Sequence, residues 1–316
     1  MIKVESRDRG WERVSLGIKR TRDGREERVP AAQYRERNKL AITLKLKNAA
    51  PMRKGLVFLH IPKAAGTTLR HVISRHYPHE LILSTDAPVT LSAEQRRRLR
   101  VIMGHVPFGT QTQLDAPVDV ITMLRHPVER IASLYDYVRL RPGHPWHPLV
   151  DGTSLADFAA CGHPATCNQQ VRQLSGCDEV SRAALELATH HLTHELTVVG
   201  LAERFEESLV LLKRALGWHT IYHRRLNVTP GRPLRREIPR STVARIESAN
   251  ELDLELYGLA SRRFDDVVRT QDEGFHRALR DLRRFNRLYG ALSHGVHAAA
   301  PLLPKRVRAV LTALRG

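Results

Sequence analysis

The pattern of apolar and polar positions changes character near residue 55. The first fifty residues follow neither a two-residue nor a 3.6-residue period and hold no convincing hydrophobic run before Leu40. They predict a basic peripheral arm with at most a short strand or helix around 40–46. After Gly55 the run Leu56-Val57-Phe58-Leu59-His60-Ile61 is apolar without alternation, as expected of a strand buried on both faces of a parallel sheet. A proline, a loop of small residues and a stretch with Leu69, Val72 and Ile73 at helical spacing follow. The unit recurs loosely. A strand is predicted over 81–83, a charged helix from Ser92 to about Leu99, and strands over 101–103 and 118–124. A helix over 127–141 then opens on Pro127, at a first turn where a missing N–H costs nothing. Alternating strands and helices predict an α/β fold with a mainly parallel central sheet.

From 142 onward helical spacing dominates, giving a helix-rich C-terminal half. The segment 142–148 (PGHPWHP) predicts a rigid irregular loop. Helices are expected near 154–160, 165–174, 179–192, 203–216 and 241–269, with one short strand at 197–199. In 275–292, Phe275, Leu279, Leu282, Phe285, Tyr289 and Leu292 form one stripe, with arginines elsewhere, and docking on the domain is its expected role. No internal repeat of ~20–50 residues is visible, which excludes solenoids and propellers.

Charge alters the picture less than its total suggests. The chain of 316 residues has 51 Lys/Arg against 33 Asp/Glu, a net +18 that invites a nucleic-acid reading. Residues 1–54 hold 16 basic and 7 acidic residues, and 275–316 hold 9 and 1, so 55–274 is nearly balanced at 26 and 25. The basicity belongs to the ends, which suit an anionic surface; no specific nucleic acid is expected. Expected boundaries are therefore a basic N-terminal arm at 1–54, a balanced central domain at 55–274 and a basic amphipathic helical extension at 275–316. The N-terminus lacks an apolar secretory core, and the uncharged stretch 288–304 is broken by Gly, Ser, His and Pro, so no transmembrane segment is expected. Three cysteines are too few and odd in number for a disulfide scaffold, and a reducing compartment is the expectation.

Two segments could carry chemistry. The loop Lys63-Ala64-Ala65-Gly66-Thr67-Thr68 leads from the first strand into its helix. Such a loop offers unpaired N–H groups, the positive end of a helix dipole, room for an oxyanion and two hydroxyls. It departs from the Walker pattern, because Lys63 stands four residues before Thr67; a plain turn with a surface lysine is the alternative. In the second segment Arg125 closes a strand and Ser133 lies two turns into the next helix. A guanidinium and a hydroxyl at the carboxyl edge of an α/β sheet suit a terminal phosphate. Taken alone, an Arg125–Glu129 ion pair with a packed Ser133 explains these residues as well. Other residues are expected to be structural. His60 belongs to the core, Arg96, Arg97, Arg98 and Arg100 to a solvated helix face, and Cys161, His163, Cys167 and Cys177 match no zinc spacing.

A strand ending in PKxxGTT, and a later strand ending in R-x-P with Ser eight residues after that Arg, resembles the sulfotransferases that use 3′-phosphoadenosine 5′-phosphosulfate (PAPS). HIPKAAGTTL is close to the carbohydrate branch, including heparan sulfate 2-O- and 6-O-sulfotransferases and bacterial relatives. Gly104-His105-Val106-Pro107-Phe108 resembles the segment with the catalytic histidine of the 2-O enzymes, and Asn168–Leu174 resembles the N-x-Q-x-R-x-L segment of the 6-O enzymes. Val199–Phe205 resembles a strand–helix junction of bacterial members, and the resemblance runs over 55–270.

That resemblance implies a P-loop-like three-layer fold and sulfuryl transfer from PAPS to a hydroxyl, most naturally of a carbohydrate, with no metal. It assigns Lys63, Ala64, Ala65, Gly66, Thr67 and Thr68 to the 5′-phosphosulfate and Arg125 and Ser133 to the 3′-phosphate. His105 becomes the general base, and Lys63 meets the departing bridging oxygen. Arg139, Arg141 and Arg172 fall near the acceptor cleft, and Arg224, Arg225, Asn227, Thr229 and Arg232 match loosely a segment that folds over the nucleotide. His126 stands where the family often has Asp and receives no catalytic role. The Golgi relatives carry a membrane anchor and none is visible here. A bacterial-type cytoplasmic enzyme, peripheral to the membrane at most, or a piece of something longer, is the expectation. A P-loop kinase, or a non-enzymatic binder of nucleic acid or anionic surfaces through the basic ends, is the alternative.

Overall fold

A computed structural model of the chain describes residues 18–20, 26–28, 54–223 and 237–299. The chain divides into two units, Met1–Met52 and Arg53–Gly316. In the first, β1 (Ile18–Arg20) and β2 (Glu26–Arg28) pair antiparallel with Ile18 opposite Arg28. The element expected at 40–46 and the polar residues from Arg224 to Arg232 lie outside the described residues.

The second unit is built on a five-stranded parallel sheet in the order β4-β5-β3-β6-β7. Its strands are β3 (Gly55–Leu59), β4 (Ile82–Thr85), β5 (Val101–Gly104), β6 (Val118–Leu124) and β7 (Val198–Leu201). β3 and β5 are buried at every position, which is why their sequences run apolar without alternation. The first strand of the sheet occupies its centre. Chain progression runs from β3 toward β4 and β5 on one side, then restarts at β6 and moves the other way to β7. The loops leaving β3 and β6 therefore diverge, opening the crevice where α/β sheets bind ligands.

The helices are α1 (Gly66–Ile73), α2 (Ala93–Arg98), α3 (Pro127–Arg139), α4 (Leu155–Ala159), α5 (Gln169–Ser175), α6 (Arg182–His190), α7 (Phe205–Leu216), α8 (Arg240–Ser248), α9 (Glu251–Arg269) and α10 (Glu273–Ala299). α2 opens with a reciprocal capping box in which Ser92 and Gln95 each bond the other's backbone N–H. Most boundaries shift by one to three residues, and four of the differences have a local cause. α3 stops at Arg139, because Arg141 precedes Pro142 and a residue before proline is pushed out of the helical region. α5 begins at Gln169 instead of 165, since Asn168 is left-handed at φ 46, ψ 40. The helix expected over 241–269 is two, broken at Asn250, whose buried amide donates to the carbonyls of Thr166 and Ile246. α10 starts before 275 and is capped by Asp272, which accepts the Phe275 N–H at 2.9 Å. Phe275, Leu279 and Leu282 are buried, so the extension drawn from 275 begins inside the core, while Arg277, Arg280, Arg284 and Arg287 face solvent. Among the described residues no helix is long and apolar enough to cross a membrane.

Candidate functional site

The turn after β3 is shaped by its backbone. Lys63 and Ala65 hold left-handed φ values of 67° and 62°, and α1 starts at Gly66 with no side-chain cap on its N-terminus. Successive N–H groups in such a turn form a concave cradle for an anion, reinforced by the helix dipole. Gly66 is required by packing: a Cβ there would lie 1.8 Å from His60 Cδ2. Thr67 is exposed at the mouth of the turn, whereas Ala64 and Thr68 are buried, and the Ala64 N–H is given to the Ile61 carbonyl at 3.2 Å.

Lys63 is not extended into solvent. Its Nζ lies 3.7 Å from the centroid of the Tyr137 ring, and the Arg141 guanidinium carbon lies 3.8 Å from the same centroid. Two cations thus share one aromatic ring beside the cradle. His144 meets that ring edge-on at 5.6 Å, bringing the 142–148 loop to the same place.

Arg125, just past β6, reaches across the crevice. Its Nη1 donates to the Lys63 carbonyl at 3.1 Å, and its Nη2 donates to Glu129 Oε2 at 3.1 Å. The ion pair and the link to the cradle coexist: one guanidinium holds both. Ser133 is 2% exposed in α3. Arg139 pairs with Asp136 at 3.7 Å, and Arg172 donates to the Asp178 carbonyl, near the C-terminal end of α5. Of the three arginines assigned to an acceptor cleft, Arg141 is the one brought beside Lys63. Cys161 and Cys167 are free thiols on either side of the Thr166 hydroxyl, at 3.8 and 3.5 Å.

His105 follows β5, next to β3. Its backbone N–H donates to Asp86 Oδ1 at 3.3 Å, and its Nδ1 lies 3.5 Å from the same oxygen. Arg70 of α1 approaches that oxygen at 3.8 Å and also donates to the Ser84 hydroxyl. Burial pushes the His105 pKa below the ordinary histidine value; Asp86 opposes this, and Arg70 and Lys63 add to it. The imidazole is consequently neutral at pH 7 and able to accept a proton.

His60 packs behind His105 at a ring separation of 4.7 Å and stacks on Phe58 at 5.4 Å. Burial, then the charges of His105, Arg70 and Lys63, lowers its pKa to about 3. A histidine depressed in the folded state contributes stability that is fully present above its unfolded value of 6.5 and lost as pH falls toward 3. The expected loss from this group is up to ~1.4 kcal/mol per pH unit below 6.5. Denaturant melts between pH 7 and 4 should show a shallower slope in His60→Leu; the same slope in both proteins would place the acid sensitivity elsewhere.

No protein-family model matches the chain. Heparan sulfate 2-O-sulfotransferase 1 of Xenopus laevis is 25% identical over 194 aligned residues, taking in 51% of this chain and 54% of that protein. The chain is similar to a sulfotransferase. It spans about half the length of the curated relative it matches. Among solved structures, mouse sulfotransferase SULT7A1 complexed with PAP aligns with a TM-score of 0.32 and 18% identity, covering 57% of this chain and 65% of that one.

Sequence reasoning did not single out Tyr137 or Asp86. Tyr137 stands one helical turn before Arg141, a spacing that could have drawn attention to a shared face. Asp86 lies in the loop after β4 and reaches His105 only because β4 and β5 are neighbours, with Thr85 in register with Gly104.

Proposed function

We propose that the chain is a sulfotransferase that moves a sulfuryl group from PAPS to a hydroxyl of a carbohydrate. The observation that carries this reading is the convergence of three strand-end elements at one sheet edge. The uncapped turn at Lys63–Gly66 is tied to Arg125 through the Lys63 carbonyl, and His105 directly follows the adjoining strand, its ring centroid 4.7 Å from that of His60. The similarity to heparan sulfate 2-O-sulfotransferase 1 supports both the transfer and the carbohydrate acceptor.

The residues fit the co-substrate. The cradle formed by the backbone from Lys63 to Thr68 suits the 5′-phosphosulfate, and Arg125 with the start of α3 suits the 3′-phosphate; Ser133, being buried, would need local opening to join it. PAPS supplies an activated sulfuryl group, so the protein's work is placement and charge. His105, neutral at pH 7, removes the acceptor hydroxyl proton. Lys63 leaves the Tyr137 face to neutralise charge on the departing phosphate oxygen. Arg141 and His144 line the approach to Lys63, where an acceptor would enter.

A thermal-shift comparison tests the nucleotide class. Adenosine 3′,5′-bisphosphate at ~100 Kd should stabilise the protein by about 2.7 kcal/mol, and ATP with Mg²⁺ at the same concentration by much less. An equal response to both ligands, or none to the bisphosphate, would remove the PAPS reading.

A further inference from the structure

We propose that Gln170 and Gln173 of α5 are positioning residues that fix the relative placement of the three strand-end loops, Gln170 holding Arg125 and Gln173 holding the segments that carry Lys63 and His105. This inference rests on the reading of the site given above.

The two side chains are buried and do one thing each. The Gln170 carboxamide pairs with the backbone of Arg125 in both directions: Oε1 accepts the Arg125 N–H at 3.0 Å and Nε2 donates to the Arg125 carbonyl at 2.9 Å. It takes the place of another strand just where β6 ends and the sheet splays. Gln173, one turn further on the same helix face, donates from Nε2 to the carbonyls of His60 at 3.2 Å and Val106 at 2.9 Å. Those carbonyls lie past the ends of β3 and β5, on the chain leading to Lys63 and directly after His105. The Gln173 backbone carbonyl also accepts the Phe108 N–H at 2.8 Å. The orientation of the amide is forced, since a flipped group would face two carbonyls with its own oxygen. Gln173 Oε1 is left buried without a partner, a penalty borne to keep the donor side on the two loops.

The helix is itself fixed. Asp253 of α9, fully buried, accepts the N–H of Gln170 at 3.1 Å and of Val171 at 2.8 Å, and its own N–H donates to Asn168 Oδ1 at 3.0 Å. A rigid two-turn strut thus sets the spacing of these loops together with two direct ties at the same edge, the His60 N–H to the Gly104 carbonyl at 2.8 Å and Arg125 to the Lys63 carbonyl at 3.1 Å. Small displacements of positioned groups cost large factors in rate, so a residue controlling that spacing should be visible in function.

The test uses Gln170→Met and Gln173→Met, which keep volume and remove the amide. Two readouts need no acceptor: nucleotide affinity by calorimetry, and the His105 pKa from its imidazole proton shift, assigned with His105→Ala. Gln170→Met should weaken adenosine 3′,5′-bisphosphate by ~10-fold with 5′-AMP changed less than ~3-fold and the His105 titration unmoved. Gln173→Met should move the His105 pKa upward toward the ordinary value as its segment loosens from burial among His60, Asp86, Arg70 and Lys63. The gap between bisphosphate and 5′-AMP should then stay within ~3-fold of wild type. Should a Met variant fail to fold, the corresponding Asn variant, with a shorter amide, should give the same split at smaller size. Identical effects of both substitutions on both readouts, or no effect of either in folded protein, overturns the strut. Wild type that binds no bisphosphate overturns the sulfotransferase reading instead.

Discussion

Replacing His105 with alanine is expected to lower turnover by ~10²–10⁴ while leaving affinity for adenosine 3′,5′-bisphosphate nearly unchanged, as for a positioned base that touches the acceptor and not the nucleotide. The pH profile gives the control. A general base works neutral, so the wild-type rate should fall on the acid side as His105 takes up a proton. Burial with the charges of Arg70 and Lys63 places that limb below the ordinary histidine value of 6.5. Asp86→Asn removes the opposing carboxylate and should carry the limb further down. In His105→Ala the limb should be absent. An unaltered limb, or a rate within a few-fold of wild type, would pass the role to another group. Glu129 is then a weak substitute, because it is engaged by Arg125 at 3.1 Å, and His144 beside Tyr137 becomes the next candidate. Lys63→Ala should differ in kind, losing both rate and some nucleotide affinity.

Arg125→Ala is expected to weaken adenosine 3′,5′-bisphosphate more than 5′-AMP by ~1.5–3 kcal/mol, the scale of a charged hydrogen bond. Because the same guanidinium holds the Lys63 carbonyl, some loss should appear for 5′-AMP as well. Arg125→Lys keeps the charge but not a fork able to span the Lys63 carbonyl and Glu129 together, and should recover only part of the difference. Calorimetric titration of the two nucleotides into each variant decides the point. Equal weakening of both would reject Arg125 as the ligand of the 3′-phosphate.

The strands were legible because burial on both faces leaves an unbroken apolar run, as at Leu56–Leu59, and the turn into α1 stood out because its small residues and lysine are contiguous. Boundaries were lost where a single side chain decides them. Asn250 splits a continuous helical pattern, and the left-handed Asn168 delays α5, without disturbing the apolar spacing around them. The neighbours of the site were harder still. Gln170, Gln173 and Asp86 act on residues far away in sequence, through backbone groups every residue possesses, so no local pattern marks them. The N-x-Q-x-R-x-L segment was noticed only as a resemblance; within it, the glutamines face the strand ends and Arg172 turns away.

The central position of β3 has a consequence for how the chain is made. It is the first strand of its sheet to be synthesised, yet both its edges wait for later partners: Leu56 for Val101 and Gly55 for Val118. Until β5 and β6 emerge, Leu56, Val57, Phe58 and Leu59 form an apolar segment with open edges, the kind that associates with other chains. Non-local parallel pairing is slow, so refolding should be sensitive to protein concentration and assisted by dilution or a holdase chaperone. The turn bearing Lys63 cannot be set before Arg125 arrives behind β6 to bond it. Nucleotide binding during refolding should therefore lag the recovery of helical signal, reporting the end of assembly and not its beginning.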